Sequence, residues 1–295
     1  MAGTDLVKQL IVIGARGQLA KAIKHFRPEA VFLDRGVIDL AFPERIEAAL
    51  KQYDTYAVIK AAAYTQVDNA EKEQELAFRV NAEASRVLAA YCAAKDIALI
   101  NFSSDYVFDG RGNTPWREGD AVHPLNAYGR SKAAAEESTM AAGCKYLIFR
   151  TSWLYDAEGK NFLNTILRLA GEREELRIID DQFGAPTYAG HMAKAVLSAL
   201  DKAVAMPVFP SGIYHVCNAG VTTWHGFASR IIELAHHQLL PLKVKNIVPI
   251  PATEYPLPAK RPYNSRLDCS KAHKVFGITM PDWQQGVLEC MQARQ

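Results

Sequence analysis

The stretch IVIGARGQLAKAI (residues 11–23) joins an apolar run to a helical pattern through Gly14 and Gly17. A continuous apolar run suits a strand that is buried on both faces of a parallel sheet. The G-x-x-G-x-x-A spacing ending at Ala20 is typical of a dinucleotide-binding turn when it follows a strand and opens a helix. The stretch therefore predicts a strand-turn-helix unit that can bind a pyrophosphate.

Each small residue of this turn has a predicted role. Gly14 makes the tight turn, and Gly17 lets the backbone approach the pyrophosphate at the helix N-terminus, where unpaired N–H groups favour anions. Ala20 allows close packing of the helix on the sheet. The alternative is a glycine turn without a ligand. Asp34 weakens that alternative, because an acid about twenty residues onward is where such folds bind the adenosine ribose.

The charged residues around Asp34 leave the choice of dinucleotide open. Asp34 itself favours NAD, because a carboxylate hydrogen-bonds the ribose hydroxyls. Arg16 and Arg35 can instead hold a 2′-phosphate, since a guanidinium matches phosphate geometry. The sequence does not separate NADPH from NADH, and we expect both to be used.

Short apolar runs alternate with helical patterns as far as residue 153. The runs are 9–14, 30–34, 56–63, 97–104 and 145–153, and the helical patterns between them cover 18–26, 43–53, 69–95 and 126–143. This order predicts an α/β fold with a doubly wound parallel sheet.

After residue 153 the apolar runs and helical patterns no longer alternate regularly. This change predicts that the chain is divided into two domains. We expect an NAD(P)-binding domain over residues 1–152, with some segments from roughly 185–235 returning to it. Residues 153–295 are expected to form mainly a smaller C-terminal substrate domain. Its proline-rich stretch, 247–268, cannot form a regular helix.

Three side chains in the middle of the chain indicate proton-transfer chemistry. Ser103, Ser104 and Asp105 end the fourth apolar run, and strand carboxyl ends face the ligand crevice in such sheets. Tyr128 and Lys132 lie four apart, on one face of the next helix. An ammonium lowers a nearby tyrosine pKa from about 10. Tyr128 is thus a candidate proton donor, Ser104 a donor to a substrate carbonyl, and Lys132 a ribose ligand. A chance Tyr-x-x-x-Lys on an exposed helix is the alternative, which the glycine turn disfavours.

These elements together resemble the extended short-chain dehydrogenase/reductase superfamily, which has a Rossmann-type fold. Within it, motifs over nearly the whole chain resemble the dTDP-4-dehydrorhamnose reductase family. They are TQVDNAE (65–71), SSDYVFDG (103–110), PLNAYGRSK (124–132), FRTSWLY (149–155), IIDDQFGAPT (178–187), TTWHGFA (222–228) and RPYNSRLD (261–268). The resemblance implies NAD(P)H-dependent reduction of the 4-keto group of dTDP-4-dehydro-L-rhamnose, in the synthesis of dTDP-rhamnose for lipopolysaccharide and related carbohydrates.

The resemblance also implies roles for individual residues. Ser104, Tyr128 and Lys132 match the catalytic trio. The resemblance and the glycine turn together indicate a set of residues that bind the cofactor. They are Gly14, Gly17, Gln18, Leu19, Asp34, Arg35, Asp39, Leu40, Ala62, Ala63, Tyr64, Thr65, Phe102, Tyr128 and Lys132. The substrate-binding positions are Ser104, Asp105, Trp153 and Arg261.

Some second-domain residues carry open alternatives. Arg261 or Arg266 can bind the diphosphate of a sugar nucleotide, although a solvated loop arginine is as good an interpretation of either one singly. Trp153 is either a platform for the sugar or base, or part of the core. Gln182 and Thr187 are candidates for shaping the pocket.

One departure from the family concerns metal. Some members dimerise around a magnesium ion held by glutamates in the first helix and after the GAPT motif. The matching segments here, 19–23 and 184–192, contain no acids. We therefore expect no metal requirement, activity unaffected by EDTA, and a monomer or weak homodimer.

Composition limits the remaining partners. The net charge of the 295 residues is only +2, which predicts neither a nucleic acid nor a membrane partner. The five cysteines show no CxxC spacing, which argues against a disulfide framework or a zinc site. The apolar run LIVIGA (10–15) is too short for a secretion signal or a membrane span. We expect a cytoplasmic protein whose partner is a dTDP-sugar.

Two alternative functions remain open. Another sugar-nucleotide enzyme, such as a 4-epimerase or a different 4-keto reductase, would share the glycine turn and the trio. A non-catalytic protein is the second alternative, because the regulatory subunit of methionine adenosyltransferase resembles the same reductases. The intact Tyr128 and Lys132 pair favours catalysis.

Overall fold

The structure, a computed structural model, describes residues 8–294. Its strands are β1 (Gln9–Ile13), β2 (Val31–Leu33), β3 (Thr55–Lys60), β4 (Ala98–Ser104), β5 (Lys145–Thr151), β6 (Leu154–Tyr155), β7 (Glu175–Ile179), β8 (Phe183–Gly184), β9 (Thr187–Tyr188), β10 (Gly212–His215), β11 (Thr222–Thr223) and β12 (Asn246–Ile250). Its α-helices are α1 (Gln18–Phe26), α2 (Ile46–Leu50), α3 (Gln74–Phe78), α4 (Ala84–Lys95), α5 (Ala127–Ala141), α6 (Phe162–Glu172), α7 (Ala189–Ala205), α8 (Trp224–His237), α9 (Ser270–Phe276) and α10 (Trp283–Gln292).

The central sheet has six strands in the order β2-β1-β3-β4-β5-β10, and every neighbouring pair is parallel. The strand order reverses between β1 and β3. In open parallel sheets, ligands bind at the carboxyl ends of the strands beside such a reversal. The predicted doubly wound α/β fold is confirmed.

Alternate side chains of the sheet enter two apolar layers. On β1, Leu10 and Val12 pack in the layer that contains α1, α7 and α9, whereas Ile11 and Ile13 pack in the layer that contains α2 and α4. Because both faces are covered, the strands are apolar throughout, which explains the unbroken runs in the sequence.

A second core lies beyond the sheet. It is built from α6, α8 and α10 and from β7, which pairs in parallel with β12. Of the segments between 185 and 235, α7 and β10 pack with the sheet, and α8 packs in the second core. The boundary at residue 152 stays a prediction. No helix within residues 8–294 is long and apolar enough to cross a membrane.

The helical pattern predicted over 69–95 is confirmed from Gln74 onward, but the segment is not one regular α-helix. A 3₁₀ turn (Asn69–Glu71), α3, a π-helical turn (Arg79–Glu83) and α4 follow one another. The cause lies at Asn81, which is fully buried and bonds both the N–H and the carbonyl of Tyr64, at 2.9 and 3.1 Å, and the hydroxyl of Ser131 at 2.9 Å. π-helical turns often mark functional sites.

The proline-rich stretch 247–268 contains no α-helix, as predicted. Two neighbouring elements were not predicted. The strand β12 includes Pro249, and α9 has only seven residues before Gly277 ends it in a left-handed conformation. Both are too short to show a clear periodicity.

Candidate functional site

A cleft of about 750 Å³ opens at the carboxyl ends of the central strands, beside the reversal of strand order. This is the size range of cofactor and ligand sites. The predicted site residues that line it are Gly14, Gly17, Gln18, Leu19, Asp34, Arg35, Ala62, Ala63, Thr65, Phe102, Ser104, Asp105, Tyr128, Lys132 and Trp153.

The glycine turn at one end of the cleft has no room for side chains. Gly14 has a φ of +102°, and a Cβ there would lie 2.7 Å from the Cβ of Ala62. Gly17 precedes α1, whose first turn contains no acid and receives no side-chain cap. The positive end of α1 therefore faces the cleft, which suits an anionic group.

Two ion pairs flank the expected adenosine position. Asp34 accepts hydrogen bonds from the Gly36 N–H and from Arg16, both at 2.9 Å, and these two bonds lower the pKa of Asp34. Arg35 donates to Asp39 at 2.9 Å. Each arginine that could hold a 2′-phosphate thus already has a carboxylate partner.

The hydroxyl of Ser104 lies between Asp105 and Tyr128. Ser104 Oγ donates to Asp105 Oδ1 at 2.7 Å and accepts from the Tyr106 N–H at 3.2 Å. Burial raises the pKa of Tyr128 above its ordinary value, the charge of Asp105 adds to the rise, and a hydrogen bond with Ser104 opposes it. The expectation that Lys132 lowers this pKa is wrong here: the pKa of Tyr128 is raised, chiefly by burial, and the Lys132 ammonium lies 5.7 Å from the ring centre.

Lys132 is buried behind the tyrosine. Its Nζ donates to the carbonyl of Phe102 at 3.0 Å. Burial lowers the pKa of Lys132 to about 8, and Glu136 on the same helix opposes the change. A second buried lysine, Lys60, lies with its Nζ 3.5 Å from the Asn81 carbonyl oxygen. Burial and the charge of Lys132 lower the pKa of Lys60 as well. The sequence analysis missed Lys60, although a lysine within an apolar strand is a visible signal.

Three buried polar atoms at the cleft have no hydrogen-bond partner in the described part of the chain: Ser103 Oγ, Asp105 Oδ2 and Thr151 Oγ1. Buried polar atoms are normally paired, so unpaired ones that line a cleft indicate a polar ligand. Burial raises the pKa of Asp105 to about 6, against hydrogen bonds with Ser265 and Ser104. Thr151 and Ser265 were not predicted.

Aromatic rings form the outer wall. Trp153, with an unusual φ of +48°, stacks on Trp224 at 3.8 Å between ring centroids. Trp224 Nε1 donates to Gln182 Oε1 at 3.1 Å, and Gly184 leaves room for the Trp153 ring. Trp224 lines the cleft and was not among the predicted contacts, although its TTWHGFA motif was recognised.

Four predicted cofactor or substrate residues do not line the cleft. Asp39 pairs with Arg35 as described, and Leu40 is buried in the layer of α2 and α4. Tyr64 is buried, and its hydroxyl donates to Glu73 at 2.5 Å. Arg261 is paired with Asp68.

The other three second-domain candidates have different surroundings. Arg266 lies over the ring of Phe183, with its guanidinium carbon 4.5 Å from the ring centroid. Thr187 is fully buried in β9, and Gln182 is buried beside Trp224. Gln182 is thus linked to the aromatic wall through its side chain, and Thr187 is linked to it through its backbone N–H, which donates to the carbonyl of Trp153 at 3.2 Å.

A segment of the second half reaches back to α1. Asn161 Nδ2 donates to Gln18 Oε1 at 2.7 Å, and Lys21 pairs with Glu158 at 2.6 Å. Lys160 and Asn161 line the cleft, and neither was predicted. Across residues 8–294, no group of three or more His, Cys, Asp or Glu side chains is arranged to hold a metal ion.

The chain is similar to known proteins over nearly its whole length. The family model described as RmlD substrate binding domain matches residues 8–295. The dTDP-4-dehydrorhamnose reductase of Burkholderia thailandensis is 43% identical over 293 residues, covering 96% of this chain and 98% of its own.

Two solved structures share the fold at 31% identity, each covering 97% of this chain and 99% of its own. One is a dTDP-4-dehydrorhamnose reductase from Clostridium acetobutylicum, with a TM-score of 0.89. The other is the Bacillus anthracis reductase in complex with NADP, with a TM-score of 0.88.

Proposed function

The chain belongs to the dTDP-4-dehydrorhamnose reductase family, and we propose that it reduces the 4-keto group of dTDP-4-dehydro-L-rhamnose to dTDP-L-rhamnose, with NADPH or NADH as reductant. The observation that carries this proposal is the joint placement of Ser104, Tyr128 and Lys132 in one cleft with the glycine turn. A sugar-nucleotide oxidoreductase needs both parts at one place.

The cleft fits a dinucleotide along its length. The bound cofactor supplies the hydride. We assign the pyrophosphate to Gly17 and the start of α1, and the adenosine to the side of Asp34 and Arg35. The nicotinamide half then lies over the ends of β3 and β4, at Ala62, Ala63, Thr65 and Phe102. The unpaired hydroxyls at the strand ends support a polar ligand there.

The chain's own residues handle the proton. A raised pKa keeps Tyr128 protonated at neutral pH, which suits a group that gives a proton to the developing alkoxide. When the Ser104 hydroxyl turns from Asp105 to the substrate, it hydrogen-bonds the carbonyl oxygen and stabilises its negative charge. Lys132, with a pKa of about 8, is mostly an ammonium at pH 7, and it can hold ribose hydroxyls.

We assign the sugar to the aromatic side of the cleft. Asp105 Oδ2 is free to accept a sugar hydroxyl, and Trp153 offers a flat surface for the sugar nucleotide. Arg261 lies beyond Tyr106 and is already paired with Asp68, so its contact with the diphosphate needs that pair to open or to share the guanidinium.

The test is an oxidation assay with NADPH and NADH on enzymatically made dTDP-4-keto-L-rhamnose, with the product identified by mass and NMR. Formation of dTDP-L-rhamnose supports the proposal. A different epimer would point to the epimerase alternative. Cofactor binding without turnover, together with co-purification of a methionine adenosyltransferase, would favour the non-catalytic one.

We further propose a cytoplasmic enzyme that is a monomer or a weak homodimer and needs no metal. All five cysteines are free thiols, which suits a reducing compartment. Light scattering after gel filtration measures the mass in solution, and activity in EDTA tests the metal requirement. A tight dimer or a clear loss of activity in EDTA would contradict the proposal.

A further inference from the structure

Residues 158–161 are held against the first helix by side chains. Asn161 Nδ2 donates to Gln18 at 2.7 Å and also to the carbonyls of Asp156 and Glu158, at 2.8 and 3.1 Å. Asn161 also caps α6, accepting from the Asn164 N–H at 2.9 Å. The segment between β6 and α6 is therefore fixed beside the glycine turn, where it closes one side of the cleft.

This segment brings Lys160 to the N-terminal end of α1. Lys160 lines the cleft together with Gly17, Gln18 and Leu19. The start of α1 has no side-chain cap and no acid in its first turn, so no group of the helix itself competes for a ligand there. An ammonium and a helix N-terminus on two sides of one space both favour an anion.

The other cations at this end of the cleft already have carboxylate partners. Arg16 pairs with Asp34, Arg35 with Asp39 and Lys21 with Glu158, at 2.9, 2.9 and 2.6 Å. Within residues 8–294, Lys160 makes no ion pair of 4.0 Å or less. It is the cation at this end whose charge is free for a ligand.

We propose that Lys160 binds the pyrophosphate of the dinucleotide from the second half of the chain, opposite the start of α1. The inference rests on the proposed function. A pyrophosphate diester carries two negative charges, and backbone N–H groups alone supply only partial positive charge. Lys160 supplies a full charge from the side of the cleft that α1 does not cover.

The arrangement also links cofactor binding to the second core. Because Lys160 belongs to the segment that leads into α6, its bond to the pyrophosphate adds a second link between that segment and the side of the cleft formed by α1. The hydrogen bond between Asn161 and Gln18 then holds the same position. Bound dinucleotide therefore fixes the wall of the cleft on which the sugar nucleotide docks.

The experiment titrates the full-length protein with NADPH and NADH and follows nucleotide fluorescence at low and moderate salt. Lys160→Met is expected to raise the dissociation constants of both dinucleotides by about tenfold, which is about 1.4 kcal/mol. It is also expected to weaken their dependence on ionic strength. Lys160→Arg should restore most of the affinity. Lys274→Met, an exposed lysine on α9, is the matched control and should bind like the parent.

The possible results distinguish a failure of this inference from a failure of the proposed function. Unchanged dissociation constants in Lys160→Met overturn the inference and leave the proposed function intact. A loss confined to NADPH overturns it too, because only a contact to the 2′-phosphate would spare NADH. A higher KM for the keto sugar with unchanged dinucleotide affinity assigns Lys160 to the sugar diphosphate and overturns it. A parent protein that binds neither dinucleotide defeats both the inference and the proposed function.

Discussion

Arg261 donates two hydrogen bonds to Asp68, at 2.7 Å to Oδ1 and at 2.6 Å to Oδ2. Asp68 also accepts from the N–H of Ala259 at 3.1 Å, and Asn126 donates to the carbonyl of Lys260 at 2.7 Å. Residues 259–261 are thus hydrogen-bonded both to the loop after β3 and to Asn126, the residue that caps α5. An arginine predicted only as a substrate ligand also holds the second half of the chain over the site.

Asp68→Asn should destabilise the protein and loosen this attachment. The pair is partly exposed, so we expect a loss of about 1–2 kcal/mol in the free energy of unfolding, below the cost of breaking a fully buried pair. The KM for the sugar nucleotide should rise more than kcat falls. Urea unfolding and steady-state kinetics measure the two effects. Glu47→Gln, which breaks the exposed pair with Lys51, should change stability by less than about 0.5 kcal/mol, and an equal loss in both variants would contradict the argument.

Tyr128→Phe should keep the affinity for NADPH and lose most of the turnover. The ring and its edge-to-face contact with Tyr106 remain, and only the proton donor is removed. General acid groups contribute about 10²–10⁴-fold, so kcat should fall by that range. Tyr214→Phe, whose hydroxyl bonds Pro210 away from the cleft, is the control. If Tyr128→Phe turned over at the parent rate, the assigned proton donor would be wrong.

The ionisation of Lys132 predicts opposite trends for activity and stability. Burial lowers the pKa of Lys132 to about 8, with Glu136 opposing the change, and the pKa of Lys60 on β3 is also lowered, by burial and by the charge of Lys132. If the ammonium form is active, kcat/KM should fall as the pH rises through about 8. A profile that stayed flat to pH 9 would count against a role for the ammonium.

The stability trend follows from proton binding. Between pH 8 and 10.5 the unfolded chain binds more protons at Lys132 than the folded protein does, so rising pH favours the folded state at this residue. The parent should therefore gain free energy of unfolding relative to Lys132→Met as the pH goes from 7 to 9.5. Denaturant unfolding at the two pH values measures the difference. Lys274→Met, which changes an exposed lysine on α9, is the control and should show no such gain.

The pair of Arg16 and Asp34 should set the choice of cofactor. Asp34→Ala removes the carboxylate that faces the ribose and frees Arg16 for a 2′-phosphate. We expect the ratio of kcat/KM for NADPH to that for NADH to rise by roughly tenfold, the value of one charge-assisted hydrogen bond. Arg16→Met should move the ratio the other way, and Arg45→Met, beside Phe42, should leave it unchanged. The same ratio in all three variants would remove both residues from cofactor selection.

Cys217 and Cys269 should form a disulfide under mild peroxide. Their sulfur atoms lie 3.6 Å apart, and the hydrogen bond from Cys217 lowers the pKa of the Cys269 thiol. The Cys269 thiolate attacks peroxide to give a sulfenic acid and hydroxide, and the Cys217 thiol then attacks the sulfenic sulfur and releases water to close the disulfide. Mass spectrometry of peptides should show the cross-link and its reversal by dithiothreitol. Cys269→Ser should show none, and a parent that forms only a sulfinic acid would contradict the expectation.

Short sequence patterns correctly predicted those features of the fold that neighbouring residues determine. The glycine turn defined both the end of β1 and the start of α1 at Gln18, because the same residues limit the backbone and open the helix. Tyr128 and Lys132 were placed correctly beside Ser104, because strand ends and helix periodicity determine where such side chains point. The roles of these residues stay predictions until variants are measured.

Contacts between distant segments escaped the sequence analysis. Nothing near Arg261 indicates that Asp68 is its partner, and nothing near Asn161 indicates Gln18. The π-helical turn at Arg79–Glu83 arises from the bonds of Asn81 to residues 17 and 50 positions away. The pKa of Tyr128 was misjudged for the same reason, since its burial depends on side chains from several elements.

Successive segments of the chain belong in turn to the central layers and to the second core. This order limits how segments can be exchanged between related enzymes to make chimeras. The chain leaves the central layers for α6 and β7, returns in α7 and β10, leaves again in α8 and β12, returns in α9 and ends in α10. A single crossover therefore cannot transplant substrate preference. A working chimera would need three separate grafts, and a fragment ending at residue 152 would leave one edge of the sheet bare and prone to aggregation.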